Sequence, residues 1–100
     1  MSKPDPRLSS TAAGRWVRSS RVLHRSGGFG VVALARDRDR PMTLQGTGVA
    51  LWELLAVPHT TTELISEMAD RFGVEDTVVG ADLEQALGRL VAAGLVEVAS

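Results

Sequence analysis

The stretch PMTLQGTGVALWELLAVPHTTTELISEMADRFG, residues 41–73, decides the fold of this 100-residue chain. It opens with a short uncharged segment, residues 41–44, whose composition indicates a strand. Pro41 has no backbone N–H to give to a neighbouring strand, and proline in a sheet is therefore tolerated mainly at an edge or a strand start. We therefore expect residues 41–44 to form the third strand of a sheet and to lie at its edge.

Two amphipathic helices follow this strand. In helix one, apolar residues recur with helical spacing from Val49 to about residue 56, Thr47 is the predicted N-cap, and Pro58 ends the segment. Helix two begins with Thr60 and Glu63, which fit a capping box. Its predicted buried stripe and its C-terminal cap consist of Leu64, Ile65, Met68, Ala69, Phe72 and Gly73.

Helix three and a closing strand complete the second half. Asp76 or Thr77 is the predicted cap of helix three, Gly94 ends the helix, and residues 95–98 return as a strand. The predicted buried stripe of helix three consists of Val79, Leu83, Leu87, Leu90 and Val91.

The first half supplies the other strands. Residues 22–25 and 30–35 read as two strands joined by the glycine-rich turn SGGFG, and residues 16–17 as an additional short one. Residues 1–13 lack apolar periodicity and are predicted to be a disordered tail that precedes one domain over residues 14–100. The predicted fold is an α+β winged helix-turn-helix, a three-stranded antiparallel sheet followed by three helices.

The charges are unevenly distributed, although the formal net charge is only −1. Residues 1–40 contain nine Lys or Arg and three Asp or Glu, whereas residues 41–100 contain two and nine. Helix three, which carries the DNA-contacting groups of helix-turn-helix proteins, has four acidic residues over 75–93 and only Arg89 as a basic one. A nucleic acid partner is therefore unexpected, and a winged-helix DNA-binding transcription regulator remains only as the alternative function.

No pattern in the sequence indicates bond-making chemistry. There is no cysteine, and His24 and His59 have no partner at the spacing of a metal site. The GGFG loop at residues 27–30 lacks the lysine of a phosphate-binding loop, and we expect a hairpin turn there. No stretch has the apolar length of a membrane span or of a secretory signal. The sequence predicts a cytoplasmic protein that is not an enzyme and that has no cofactor, metal or membrane partner.

Two segments are similar to a known family. GTGVALWELLAVPHTTTELISEMADRFGV, residues 46–74, and DLEQALGRLVAAGLVEV, residues 82–98, resemble the PqqD-like family of peptide chaperones, also called RiPP recognition elements. The family's representative in quinone-cofactor biosynthesis typically has Cys-Asp-Gly after helix one, whereas this chain has Ala56, Val57 and Pro58. That difference favours a different peptide pathway.

The resemblance implies a non-catalytic adaptor that binds the leader of a ribosomally synthesised precursor peptide. The leader would lie antiparallel along the third strand and beside helix three, and a separate modifying enzyme, such as a radical SAM maturase, a cyclase or a peptidase, would act on it. An open strand edge suits such a peptide and also allows a homodimer. The residues expected to bind the peptide are Pro41, Met42, Thr43, Leu44, Asp82, Gln85, Ala86, Arg89 and Leu90.

Overall fold

The computed structural model describes residues 14–99, which form two small antiparallel sheets and three helices. The strands are β1 (Arg15–Arg18), β2 (Val22–Gly27), β3 (Gly30–Ala35), β4 (Met42–Leu44) and β5 (Val96–Ala99). The helices are α1 (Thr47–Leu54), α2 (Thr61–Phe72) and α3 (Asp76–Ala92). The predicted α+β fold, with a three-stranded antiparallel sheet before three helices, is confirmed. The predicted tail lies outside the described residues.

The larger sheet has the strand order β2-β3-β4. Gly27 pairs with Gly30 at the end of the β2–β3 hairpin, so the glycine-rich loop is the predicted turn. Side chains of β3 alternate between faces, and Val31, Ala33 and Ala35 are buried against the helices. The larger sheet therefore covers the core with one face.

The additional strand predicted at residues 16–17 is present as β1, and it pairs with β5 rather than with β2. The backbone N–H of Trp16 donates to the His59 carbonyl at 2.7 Å, and the His59 N–H donates back at 3.0 Å. The indole N–H of Trp16 also donates to Thr61 Oγ1 at 2.9 Å. Through these bonds β1 joins the α1–α2 connection to the C-terminal strand.

Trp52 of α1 lies at the centre of the core, with only 1% of its surface exposed. The Arg18 guanidinium lies 4.6 Å from the centre of the Trp52 ring, and Arg18 Nε donates to the Trp52 carbonyl at 2.8 Å. Partial burial lowers the pKa of Arg18, and nearby Glu53 opposes that shift. The Arg18 guanidinium therefore packs over the Trp52 ring and at the same time donates a hydrogen bond to the backbone of α1.

The helix ends confirm some of the predicted caps and correct others. The capping box of α2 is present, and Gly73 adopts the left-handed conformation (φ 64°) that suits a C-terminal cap. Thr47 is not the cap of α1: Gly46 occupies that position with φ 57°, and Thr47 is the first helical residue. Neither Asp76 nor Thr77 caps α3, because the helix begins at Asp76 after Glu75 as the N-cap.

Three other predictions are wrong at the level of single residues. Pro41 lies just before β4 rather than in it, because the strand begins at Met42. Phe72 and Val91, predicted to be buried, are exposed, because they lie at the ends of their helical stripes, where the helices leave the core. Within residues 14–99, no helix combines the length and apolar character needed to cross a bilayer.

Removal of the cap at Thr60 tests how much the α2 terminus contributes. Thr60 Oγ1 accepts from the Glu63 N–H at 3.1 Å. Since loss of a threonine cap typically costs about 1 kcal/mol, we expect Thr60→Ala to lower the free energy of unfolding in urea by about that amount. Thr62→Ala, at an exposed position inside the same helix, is the control and should leave stability unchanged or slightly raised. Equal losses in both variants would contradict the capping role.

The capping box also predicts a dependence of stability on pH. The hydrogen bond from the Thr60 N–H, together with Arg15 nearby, lowers the pKa of Glu63, while desolvation opposes the shift. A carboxylate whose pKa is lowered by folding stabilises the fold above its unfolded pKa of about 4.3, and this contribution is lost as the pH falls through the folded value. The stability difference between wild type and Glu63→Gln should therefore shrink on acidification from pH 7. A difference that is constant with pH would contradict this expectation.

Candidate functional site

The candidate site begins with the open edge of β4. One side of this strand pairs with β3, with Val31 opposite Leu44 and Ala33 opposite Met42, and no strand within residues 14–99 lies on its other side. Alternate residues of an antiparallel edge strand direct their N–H and C=O groups away from the sheet. The β4 edge therefore offers backbone groups that an incoming extended chain can pair with.

Two glycines and a glutamine hold β4 in place. Gly30 has φ 115°, and a Cβ atom on it would collide with the backbone carbonyl oxygen of Leu44. Gln45 Nε2 donates to the Phe29 carbonyl at 3.3 Å, and Gly46 then turns the chain into α1. This local geometry limits the strand to three residues and keeps it close to β3.

A groove of about 560 Å³ runs between β4 and α3, and residues from the start of α1 and the end of α2 also line it. All of the predicted site residues except Pro41 line it. They are Met42, Thr43, Leu44, Asp82, Gln85, Ala86, Arg89 and Leu90. Pro41 is exposed and lies outside the groove lining. The geometry thus brings the strand edge and one face of the helix to the same cavity.

Apolar residues that the sequence interpretation did not assign to the site form part of this groove. Phe72, Val74 and Val78 line it with 47%, 44% and 54% of their surfaces exposed. Met68 also lines the groove and is buried. The signal was present in the sequence as apolar residues on both sides of the Gly73 cap, but the helical period alone assigns Phe72 to the core. We call Phe72, Val74 and Val78 the apolar rim.

Asp82 and Arg89 are the charged residues among the groove lining. Both are exposed, and neither forms an ion pair with another residue of the 14–99 range. They belong to α3, where positions seven apart lie on the same face, two turns from each other. The groove therefore presents one negative and one positive group along its helical wall.

The site contains no arrangement typical of catalysis or of metal binding in the part of the chain that the structure describes. No three His, Cys, Asp or Glu side chains come together there. His24 packs against the edge of the Trp52 ring, with the ring centres 5.5 Å apart, and His59 Nδ1 lies 2.9 Å from the Val57 carbonyl oxygen. What the groove offers is backbone pairing, an apolar surface and two charges, which are features of binding.

A small winged helix domain with an open strand edge beside its third helix is the class of protein that these features define. The family model for coenzyme PQQ synthesis protein D (PqqD) matches residues 30–96. The chain therefore belongs to the PqqD family, and the resemblance noted in the sequence is confirmed.

A solved structure described as "TbiB1 in Complex with the TbiA(beta) Leader Peptide" has a similar fold. The TM-score is 0.73 at 23% sequence identity, over 81% of this chain and 94% of that chain. This level of identity establishes a shared fold. Among curated protein sequences, no significant match was found.

The apolar rim can be tested with a dye before any ligand is known. Anilinonaphthalene sulfonate fluoresces when it binds exposed apolar surface, and we expect Val78→Asp to reduce the enhancement clearly, because a carboxylate then interrupts the rim. Val57→Asp is a matched control, since Val57 is 58% exposed but lies outside the groove. Equal fluorescence loss in the two variants would contradict a preferred apolar surface at the groove.

Proposed function

We propose that this chain is a non-catalytic adaptor that binds the leader of a ribosomally synthesised precursor peptide. The leader adds to the sheet as a strand antiparallel to β4, and the adaptor presents the rest of the precursor to a separate modifying enzyme. The single observation that carries the proposal is the groove along the β4 edge that no strand of residues 14–99 covers, with α3 as its opposite wall.

The two walls of the groove have different physical roles. The β4 edge supplies main-chain hydrogen bonds, which give affinity with little regard to sequence. Side chains of an extended peptide alternate, so every second one enters the space between β4 and α3. There the half-buried Ala86 leaves room for a side chain, and the apolar rim offers a surface for an apolar residue. Selectivity then comes from α3 and the rim rather than from the strand.

Membership of the PqqD family supports this function. The fold neighbour supports it as well, because that protein was solved with a leader peptide bound. In this chain, the β4 edge and α3 lie on the two sides of the groove that the proposed leader would occupy.

An adaptor of this kind promotes chemistry by raising the local concentration of the substrate near an enzyme. The separate modifying enzyme is a radical SAM maturase, a cyclase or a peptidase. The adaptor binds the leader in the cytoplasm, where the precursor is made. The same β4 edge would be occupied in a homodimer formed by strand pairing, so peptide and second copy would compete.

Nothing in the described structure favours the DNA-binding alternative. Within α3 the charged residues are Asp76, Asp82, Glu84 and Arg89, three acidic against one basic. Such a helix repels phosphate rather than attracting it.

Calorimetric titration with the leader of a precursor encoded beside this chain tests the proposal. We expect Ala86→Trp to weaken binding at least about tenfold, which equals about 1.4 kcal/mol, because the indole fills the space between α3 and β4. Ala81→Trp is the matched control, since Ala81 is an exposed α3 residue outside the groove.

The control should bind the leader as the wild type does. Absence of binding by the wild-type chain up to millimolar leader would overturn the proposed function. Equal binding by the wild type, Ala86→Trp and Ala81→Trp would mean that the peptide binds outside the groove.

A further inference from the structure

We infer that the groove reads the order of charges along the bound peptide: it selects an extended segment in which a Lys or Arg precedes an Asp or Glu. This inference rests on the proposed antiparallel strand addition and deepens it. It follows from the positions of Asp82 and Arg89 relative to the direction of β4.

The direction of α3 relative to β4 is set by contacts at the C-terminal end of the helix. Arg38 Nη1 donates to the Ala92 carbonyl at 2.9 Å, and a Cβ atom on Gly94 would lie 3.2 Å from that of Ala35. Ala35 ends β3, and the preceding Ala33 pairs with Met42. The C-terminal end of α3 therefore lies beside the Met42 end of β4.

Asp82 and Arg89 consequently lie at different ends of the groove. Arg89 is one turn before the end of α3, on the Met42 side, and Asp82 is two further turns away. Seven residues of helix correspond to a separation of about 10.5 Å along its axis. No ion pair within residues 14–99 neutralises either group.

In a peptide segment that pairs antiparallel with β4, the N-terminal residues lie near Leu44 and the C-terminal residues lie near Met42. Its N-terminal part then faces the Asp82 carboxylate, and its C-terminal part faces the Arg89 guanidinium. A strand advances about 3.4 Å per residue, and every second side chain points to the same face. Same-face peptide residues spaced by two lie about 6.8 Å apart and those spaced by four about 13.6 Å apart, so the helical separation falls between them. Long, flexible Lys and Arg side chains, including that of Arg89, can cover the remaining distance of about 3 to 4 Å, with the peptide's cation first.

A peptide of identical composition but inverted order places like charges together at both ends. Exposed ion pairs are individually weak, yet inversion changes two attractions into two repulsions. We expect an affinity loss of about tenfold at low salt, with a smaller loss as salt increases.

Selection from a displayed library of random peptides tests this inference without a known leader. The full chain is the bait, and Ala86→Trp is the counter-selection bait, so that only peptides bound in the groove are retained. The retained pool should be enriched in sequences with Lys or Arg two or four residues before Asp or Glu. The double variant Asp82→Lys, Arg89→Glu should enrich the inverted order.

A matched double variant controls for general charge effects. Glu84→Lys with Arg25→Glu also exchanges two exposed charges at constant net charge, outside the groove. The peptides selected by this control variant should show the same order of charges as those selected by the wild type. Circular dichroism of each variant verifies that the fold is retained.

The outcomes separate this inference from the proposed function. The inference is overturned, and the proposed function is retained, if the groove-bound peptides show no preferred charge order or carry the anion before the cation. The same holds if exchanging the charges of Asp82 and Arg89 leaves the selected order unchanged. If no peptide is selected by the wild type and rejected by Ala86→Trp, both the inference and the proposed function are overturned.

Discussion

The one-sided pairing of β4 is the constraint on which the rest of the molecule depends. Gly30 allows β4 to approach β3 closely, and Gly46 turns the chain away after three residues. A strand paired on both sides would leave no edge. Because the strand is short and single-sided, its outer backbone groups face α3 across an open groove rather than another strand.

The wall opposite this edge is held by interactions far from the groove. Arg38 bonds the last turn of α3, and the Gly94 backbone packs closely on Ala35 at the end of β3. On the other side of the core, β1 fastens the α1–α2 connection through Trp16. The exposed groove residues of α3, which are Asp82, Gln85 and Arg89, take no part in these contacts, so their side chains can vary without loss of the fold.

Local patterns in the sequence predict the helices and strands but do not predict which strands pair with each other. The α2 capping box and the Gly73 and Gly94 termini were predictable because each depends on residues a few positions apart. The pairing of β1 with β5 depends on contacts across the whole chain, and no local pattern reports it. The helical period assigns Phe72 to the core, because it does not distinguish a buried stripe from one that continues into a groove.

Strand addition at β4 is tested most directly by the nuclear Overhauser effects between a bound leader and the backbone of Met42, Thr43 and Leu44. Antiparallel addition predicts cross-strand contacts between leader protons and this backbone, together with side-chain contacts to Ala86. A complex whose contacts are confined to the outer edge of β2, or to β1 and β5, would contradict it.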